Sequence, residues 1–296
     1  MKVLITGHTG FIGQAAMRSL TQADVQIIQG FSLPEHDVRD YHNVHDAVCE
    51  GVDTIVHLAA EAEVPFSIEH PTRTFESNIV GLHNVLMAAR HFDVKRVIFA
   101  SSSVAERPRS PYAASKTAGE ALCKAFAESY GLDVCILRFT NVYGPGSWHK
   151  TTVVAEIIRR MLQNQTITIY GDGSALRDFV HIDDVARAIV LAVTREQSLA
   201  GRTLSIGSGF ITSLNELFSA ICFFHGDHPF EYKSTRPGEV LEPPPATHIE
   251  EARRVLNYEP KHPHLDLKST YDYFVAEADR LAQLSEGIVV TRKDTR

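Results

Sequence analysis

The chain has 296 residues, of which 44% are hydrophobic and 22% are charged, so it has ample material for a globular core. Its net charge of −7, without a basic cluster, argues against binding to nucleic acid or to an anionic membrane surface. Because no apolar run approaches the ~20 residues of a membrane span, and no signal-peptide pattern opens the chain, we expect no membrane partner.

Strand and helix patterns alternate through the first half of the chain. Short β-branched apolar runs predict strands at 2–6, 25–29, 53–58, 95–101 and 133–139. Amphipathic stretches predict helices at 11–22, 43–50, 74–91 and 111–130. This alternation predicts an α/β fold with a Rossmann-like, doubly wound parallel sheet and helices on both faces.

The pattern becomes irregular after Gly144. Helices are predicted at 153–163, 183–193, 214–224, 249–256 and 267–284, and strands at 167–170 and 204–207, with strand and loop over 229–241. We therefore expect two interleaved lobes. Residues 1–144 with about 178–207 form an NAD(P)-binding Rossmann domain, 145–177 and 208–284 form a smaller C-terminal substrate-binding lobe, and 285–296 form a tail.

The turn after the first predicted strand contains three regularly spaced glycines. Gly7-His8-Thr9-Gly10-Phe11-Ile12-Gly13 stands between that strand and a helix, which is the context of a dinucleotide site. Gly7 allows the tight turn, Gly10 lets the backbone approach a pyrophosphate, and Gly13 lets the helix pack on the strand. The helix N-terminus then offers N–H groups to the phosphates.

Tyr112 and Lys116 are four residues apart on the helix predicted at 111–130, so their side chains share one face. An ammonium ~4 Å from a phenol favours the phenolate by about three pKa units at an effective dielectric of ~20. We therefore expect the pKa of Tyr112 to be lowered towards 7, where proton exchange with an alcohol is efficient. A hydroxyl from Ser101-Ser102-Ser103 would hold the same substrate oxygen.

The four cysteines and fifteen histidines give no motif for a metal or a disulfide. No C-x-x-C pair occurs, and no H-E-x-x-H constellation occurs. We therefore expect reduced thiols, a cytoplasmic protein and no metal site.

The G-x-x-G-x-x-G turn, the Y-x-x-x-K pair and the upstream serines together resemble the extended short-chain dehydrogenase/reductase family. The nearer resemblance is to its NAD-dependent epimerase/dehydratase branch, typified by UDP-glucose 4-epimerase. It runs from Met1 to about Phe274 and includes further ordered matches at 53–60, 78–81, 97–103, 138–146, 177–185 and 236–239.

This resemblance implies a set of site residues. Tyr112 would be the general acid/base, Lys116 would tune it and hold the nicotinamide ribose, and Ser102 would hold the substrate hydroxyl, with Ser101 as the alternative. The implied cofactor-binding residues are Gly7, Thr9, Gly10, Phe11, Ile12, Gly13, Asp37, Val38, Leu58, Ala59, Ala60, Asn78, Tyr112, Lys116 and Phe139. The implied substrate-binding residues are Ser102, Ser103, Asn141, Arg177 and Arg236.

The chain departs from the family pattern in two places. Val104-Ala105-Glu106 replaces the usual Val-Tyr-Gly, and Tyr112 follows Ser102 by only 112 − 102 = 10 positions, which leaves the sugar pocket more open. The second predicted strand runs into Gln29-Gly30-Phe31-Ser32, without the acidic residue that binds a ribose 2′-hydroxyl or the cation that a 2′-phosphate needs. We expect NAD, with NADP as the alternative.

The resemblance implies a 4-epimerase of nucleotide-diphosphate sugars that works through a transient 4-keto sugar. The rivals are an NAD(P)H-dependent reductase of 4-keto-6-deoxysugars and a non-catalytic dinucleotide sensor. A 4,6-dehydratase is disfavoured because its Asp-Glu pair is replaced by Ser103 and Val104. The family also implies a homodimer through the helices near 75–91 and 111–130, whose outer faces would carry residues equally suited to a core: Leu82, Leu86, Ala118 and Leu122.

Overall fold

The computed structural model describes residues 1–49, 51–235, 248–262 and 264–293. Its centre is a six-stranded sheet made of β1 (Lys2–Thr6), β2 (Gln26–Phe31), β3 (Thr54–His57), β4 (Arg96–Ser102), β5 (Val134–Phe139) and β10 (Thr203–Ile206). The spatial order is β10-β5-β4-β3-β1-β2, and every neighbouring pair is parallel. The chain therefore reverses its direction of winding between β1 and β3, where α/β folds bind ligands.

Helices cover both faces of this sheet, because its apolar strands present side chains to both sides. One face packs α1 (Phe11–Gln22), α8 (Ile182–Thr194) and α10 (Glu250–Leu256). The other packs α2 (Tyr41–Val48), α5 (Gly81–His91) and α6 (Pro111–Tyr130). Within β1, Val3 and Ile5 face the first layer while Leu4 faces the second, as the two-residue period of a strand requires. The Rossmann-like doubly wound fold is confirmed.

Shorter helical elements follow β3 and β4. They are α3 (Val64–Glu69), α4 (Pro71–Phe75), a π-helical turn (Glu76–Val80) that joins α4 to α5, and a 3₁₀ helix (Ser103–Glu106) after β4. The predicted helix at 74–91 is therefore a longer helical run over 71–91 with a π-turn inside it. Among the described residues, no helix combines the length and the apolar composition needed to cross a membrane.

A separate apolar core lies in the second lobe. It joins α7 (Val153–Leu162), α9 (Leu214–His225) and the start of α11 (Lys268–Lys293) with β7 (Ile167–Tyr170). The remaining strands pair locally and are β6 (Asn141–Tyr143) with β9 (Phe179–His181), β8 (Leu176–Arg177) with β11 (Thr212–Ser213), and β12 (Phe230–Lys233) with β7. This lobe faces the carboxyl ends of the sheet strands across a cavity.

The structure adds detail to three expectations. Helix α10 lies in the predicted substrate lobe at 208–284, but Val255 packs with Leu204 and Ile206 in the nucleotide-side core. The predicted tail at 285–296 is helical as far as Lys293, since extending a helix needs no new nucleus. Leu82 and Leu86 are 0% exposed and form part of the chain's own core, so they do not offer an outer face for a dimer.

Candidate active site

A cavity of about 1170 Å³ follows the carboxyl edge of the sheet. It runs from the glycine-rich turn after β1, past the ends of β3, β4 and β5, to Arg177 in the second lobe. Most of the predicted site residues border it, and these are Gly7, Thr9, Gly10, Phe11, Ile12, Gly13, Asp37, Val38, Leu58, Ala59, Ala60, Ser102, Ser103, Tyr112, Lys116, Phe139, Asn141 and Arg177. The fold thus gathers residues from seven separate segments around one space.

The glycine-rich turn is shaped as a phosphate cradle. Gly7 has φ +74° and a Cβ there would lie 2.7 Å from the backbone N of Ala59, so only glycine fits without strain. Gly10 begins α1 with no side-chain cap, and the first turn of that helix carries no acidic residue. The N–H groups and partial positive charge at this end of α1 are therefore available to a diphosphate.

Gly13→Ala is expected to destabilise the protein by about 1–3 kcal/mol through overpacking. A Cβ at Gly13 would stand 2.1 Å from the carbonyl oxygen of Gly7 and 2.7 Å from backbone atoms of His8, so no side chain can rotate away to make room. Denaturant unfolding of the apoprotein measures the loss. Gly10→Ala is the matched control, because its Cβ meets only Gly7 O, at 3.3 Å. Equal stability of the two variants would contradict this account of the turn.

Tyr112 and Lys116 are positioned by the start of α6. Ser110 caps this helix by accepting a hydrogen bond from the backbone N–H of Ala113 at 3.2 Å, and Pro111 occupies the first helical position. This start places Tyr112 in the first turn and Lys116 one turn further on. The Nζ of Lys116 is buried and donates to the carbonyl of Ala100 at 2.8 Å.

The expectation that the pKa of Tyr112 is lowered towards 7 is wrong for the protein without bound ligands. Burial raises the pKa of Tyr112 above its ordinary value, and a hydrogen bond with Ser102 offsets this only in part. The Nζ of Lys116 lies 5.9 Å from the centre of the Tyr112 ring and is turned towards Ala100. Burial lowers the pKa of Lys116 itself to about 8. Desolvation therefore outweighs the attraction that the sequence argument invoked.

The structure separates the two candidate serines. Ser102 ends β4, hydrogen-bonds with Tyr112 and caps the 3₁₀ helix that follows. Ser101 is 3% exposed and donates to Glu120 at 2.6 Å. Glu120 also receives two hydrogen bonds from Arg138, at 2.7 and 2.6 Å, so Ser101 belongs to a structural network. This geometry favours Ser102 as the hydroxyl that meets substrate.

Alanine variants of the two serines are expected to fail in different ways. Ser102→Ala removes the partner of Tyr112 and should lower kcat about 10²-fold, the low end of general acid–base effects, with little change in stability. Ser101→Ala takes a donor from the buried Glu120 and should cost about 1 kcal/mol of stability while retaining most of the activity. Steady-state kinetics and urea unfolding on both variants check this, and a reversed pattern would assign the catalytic hydroxyl to Ser101.

On the adenosine side, Asp37 and Val38 border the cavity. Both carboxylate oxygens of Asp37 accept hydrogen bonds from the Arg39 side chain at 2.6–3.0 Å, which hold the pKa of Asp37 below its ordinary value. Between the end of β2 and Asp37 the cavity is bordered by Phe31, Ser32, Leu33 and His36, none of which carries a carboxylate. Ser32 and His36 were not predicted, because neither is a typical ribose ligand.

Asn78 lies behind the cavity and not on its wall. Its amide donates to Glu61 O at 3.0 Å and to Ser115 Oγ at 2.9 Å, and its carbonyl accepts from Glu61 N at 2.8 Å. The direct cofactor contact expected of Asn78 is therefore corrected to a positioning role. It ties the loop after β3 to the helix that carries Tyr112.

On the opposite side, Arg177, Asn141 and Ser103 border the cavity. Asp178, next to Arg177, is fully buried and accepts hydrogen bonds from Ser208 and Gly209 at 2.8–3.0 Å. Asp178 and Arg177 therefore have different roles. Asp178 holds the 208–209 turn, while Arg177 borders the cavity. Arg236, the other expected phosphate ligand, lies outside the described residues.

Several cavity residues escaped the sequence argument. Helix α3 forms one wall with Val64, Pro65 and Ile68, and its only sequence signal is a proline at the second helical position. Lys150 and Arg160 also border the cavity, and Arg160 is ion-paired there with Glu156. Loop and helix positions such as these have no local motif, and only the packing of the second lobe reveals them.

Comparison with known proteins agrees with this geometry. The sequence model described as the NAD dependent epimerase/dehydratase family matches residues 3–207. A UDP-glucose 4-epimerase from Thermotoga maritima, solved with UDP-glucose, is similar with a TM-score of 0.85 and 29% identity, covering 94% of this chain and 100% of that one. A UDP-glucose 4-epimerase from Thermus thermophilus, solved with NAD, has a TM-score of 0.82 and 30% identity, covering 93% and 99%.

A curated relative, the UDP-glucose 4-epimerase of Halalkalibacterium halodurans, is 28% identical over 90% of this chain and 92% of its own length. The family match spans more than half of the chain and includes the glycine-rich turn, Ser102, Tyr112 and Lys116. These residues also border one cavity in the structure. The chain belongs to the NAD-dependent epimerase/dehydratase family.

Proposed function

We propose that this protein is an NAD-dependent 4-epimerase of nucleotide-diphosphate sugars, with UDP-glucose as the first substrate to test. One observation carries the proposal. Ser102, Tyr112 and Lys116 stand on the same cavity as the uncapped glycine-rich start of α1 and the cationic side of the second lobe. A dinucleotide and a sugar nucleotide would therefore meet at the phenol.

NAD fits the cofactor side of the cavity. The uncapped N-terminus of α1 suits the pyrophosphate, and the small residues Ala59 and Ala60 leave space beside the sheet. Ser32 and His36 are compatible with a free ribose 2′-hydroxyl. Of the residues that the structure describes, no arginine borders the cavity at the end of β2 to bind a 2′-phosphate, which supports NAD over NADP. When bound, NAD supplies a reversible hydride acceptor.

Tyr112 acts as the base that takes the proton from the sugar C4 hydroxyl, and it returns a proton to the C4 oxygen later. Ser102 holds that oxygen, since it already hydrogen-bonds with Tyr112. The ammonium of Lys116 favours the phenolate as the proton leaves, and its hydrogen bond to Ala100 fixes its place.

The second lobe would hold the nucleotide-diphosphate end of the substrate. Arg177 matches the family's diphosphate ligand, and Asn141 and Ser103 would contact the sugar. The solved relatives named above are described as complexes with UDP-glucose and with NAD. We accordingly propose residues 1–144 with 178–207 and α10 as the dinucleotide lobe, and the rest of the described chain as the substrate lobe.

A panel of UDP-, GDP-, CDP- and dTDP-sugars tests the proposal. The purified protein should convert UDP-glucose into its C4 stereoisomer without net change of NADH. Product analysis by NMR identifies the epimer, and mass spectrometry identifies bound dinucleotide. Net consumption of NADPH would favour a 4-ketoreductase. Bound NAD without turnover of any sugar would favour a sensor.

A homodimer and a cytoplasmic location complete the proposal. Helix α6 exposes a face of small residues that suits close helix packing against a second copy, namely Ala114, Ala118, Ala121 and Ala125. The four cysteines are free thiols and two of them are buried in the core, which supports a reducing compartment. Sedimentation analysis tests the dimer.

A further inference from the structure

A second group of chemistry-bearing side chains lies at the start of α8. His181 ends β9, Asp183 follows in the first turn of α8, and His262 lies between α10 and α11. One donor atom from each can be chosen so that all lie within 4.8 Å of one another. We propose that these three side chains, called here the histidine cluster, bind one divalent transition-metal ion of the zinc class.

The distances around Asp183 fit coordination. Its Oδ2 lies 3.6 Å from His181 Nδ1 and 3.6 Å from His262 Nε2. Ligands bound at about 2.0–2.1 Å in a tetrahedral zinc site stand roughly 3.4 Å apart, so both separations are close to a tetrahedral edge. Two imidazoles and one carboxylate suit zinc, nickel or copper, whereas calcium and magnesium prefer oxygen ligands.

The two rings lie face to face in the structure, and binding one ion requires one of them to turn. Their centres are 3.9 Å apart and their planes differ by 25°. Because a metal lies in the plane of each imidazole that binds it, one ring would rotate out of the stack until its nitrogen lone pair points at the ion. Asp183 is 59% exposed, so an ion and the water that completes its coordination can reach the cluster from solvent.

Both histidines have a partner on the nitrogen that faces away from the ion. His262 Nδ1 lies 3.0 Å from Asp266 Oδ2, and His181 Nε2 lies 3.5 Å from Ser269 Oγ. Metal-binding histidines donate their second N–H to such groups, which fixes the tautomer and the direction of the ring. His181 Nδ1 accepts a long hydrogen bond of 3.3 Å from Asp183 N, which coordination would replace.

The backbone around His262 is held in place independently of its ring. The carboxylate of Asp184 accepts the N–H groups of Lys261 at 2.8 Å and of His262 at 3.1 Å. His262 therefore remains opposite His181 although the two are distant in sequence. From the sequence we expected no metal, because no short-range ligand motif occurs. An ion here would fasten the 257–262 segment to the start of α8, apart from the catalytic residues.

The test is zinc binding by protein without a polyhistidine tag, stripped with chelator and titrated with ZnCl₂ in a calorimeter. Wild type should bind one Zn²⁺ per chain, and Co²⁺ should give the absorption bands of a low-symmetry site. His262→Asn keeps a donor towards Asp266 but lacks the Nε2 ligand, and it should weaken binding more than 100-fold. Asp266→Asn should weaken it about 10–100-fold, as loss of an outer hydrogen bond does.

His83→Asn on α5 is the matched control and should leave binding unchanged, since His83 is exposed and remote from the cluster. Circular dichroism without metal confirms that each variant is folded. Equal zinc affinity of wild type and His262→Asn would overturn the proposal, and so would a titration that shows no binding by wild type. Neither result bears on the epimerase activity, which is measured separately with chelator present.

Discussion

Tyr112→Phe is expected to lower kcat by about 10²–10⁴-fold, because it removes the group proposed to exchange the C4 proton. The benzene ring is retained, so the wall of the cavity is kept. Bound dinucleotide, measured after denaturation of the protein, should remain near the wild-type level. A fall in kcat with retained dinucleotide would separate a role in proton transfer from a role in cofactor binding.

Tyr130→Phe is the matched control. Tyr130 is at the exposed end of the same helix, where its ring contacts the Arg90 guanidinium, and it does not border the cavity. Its variant should retain wild-type kcat. If Tyr112→Phe kept more than a tenth of the wild-type rate, the phenol would not be the acid/base of this enzyme.

Lys116→Met is expected to reduce kcat by about 10²-fold or more. The Nζ of Lys116 lies 5.9 Å from the centre of the Tyr112 ring. A unit charge ~6 Å from the centre of a phenolate's charge contributes ~2.8 kcal/mol at an effective dielectric of ~20. Methionine fills a similar volume without the charge, so the helix is retained. Steady-state kinetics measure the loss, and Lys124→Met, at an exposed position on the same helix, should leave kcat unchanged.

The same substitution should change how stability depends on pH. Burial lowers the pKa of Lys116 from 10.5 to about 8, so between these pH values the unfolded chain binds a proton that the folded chain does not. Stability of the wild-type apoprotein therefore gains from this group as pH rises through that window, by at most about 3 kcal/mol. Below about pH 8 the cost of burying the ammonium is present in full.

Lys116→Met has no such cost. Its free energy of unfolding relative to wild type should fall by about 3 kcal/mol between pH 7.5 and pH 10.5. Urea unfolding at several pH values gives this difference, and other titrating groups cancel in it. Parallel pH profiles for the two proteins would show that the ammonium of Lys116 is not desolvated.

Much of the sheet and of the cofactor side could be predicted from sequence, because local patterns determine them. The short, β-branched apolar runs at 2–6 and 133–139 predict buried strands, and Gly7 to Gly13 needs the strand-turn-helix context that the structure gives. Ser110 and Pro111 start α6, so the placement of Tyr112 follows from helix geometry alone.

The features that sequence reasoning did not predict correctly depend on what surrounds a side chain in three dimensions. The spacing of Tyr112 and Lys116 was known, but the degree of burial that raises the tyrosine pKa was not. The period of α5 identified an apolar stripe with Leu82 and Leu86, yet it could not say that this stripe faces the sheet. The meeting of His181 with His262 depends on contacts between distant segments.

The most direct test of the central claim uses UDP-glucose labelled with deuterium at C4. If Tyr112 moves only protons and the hydride stays within the enzyme, the product should be UDP-galactose that retains deuterium at C4, with no NADH released. Mass spectrometry and NMR of the product read this result. Formation of the epimer with the C4 label lost to solvent, or no epimer from any nucleotide sugar, would contradict the account.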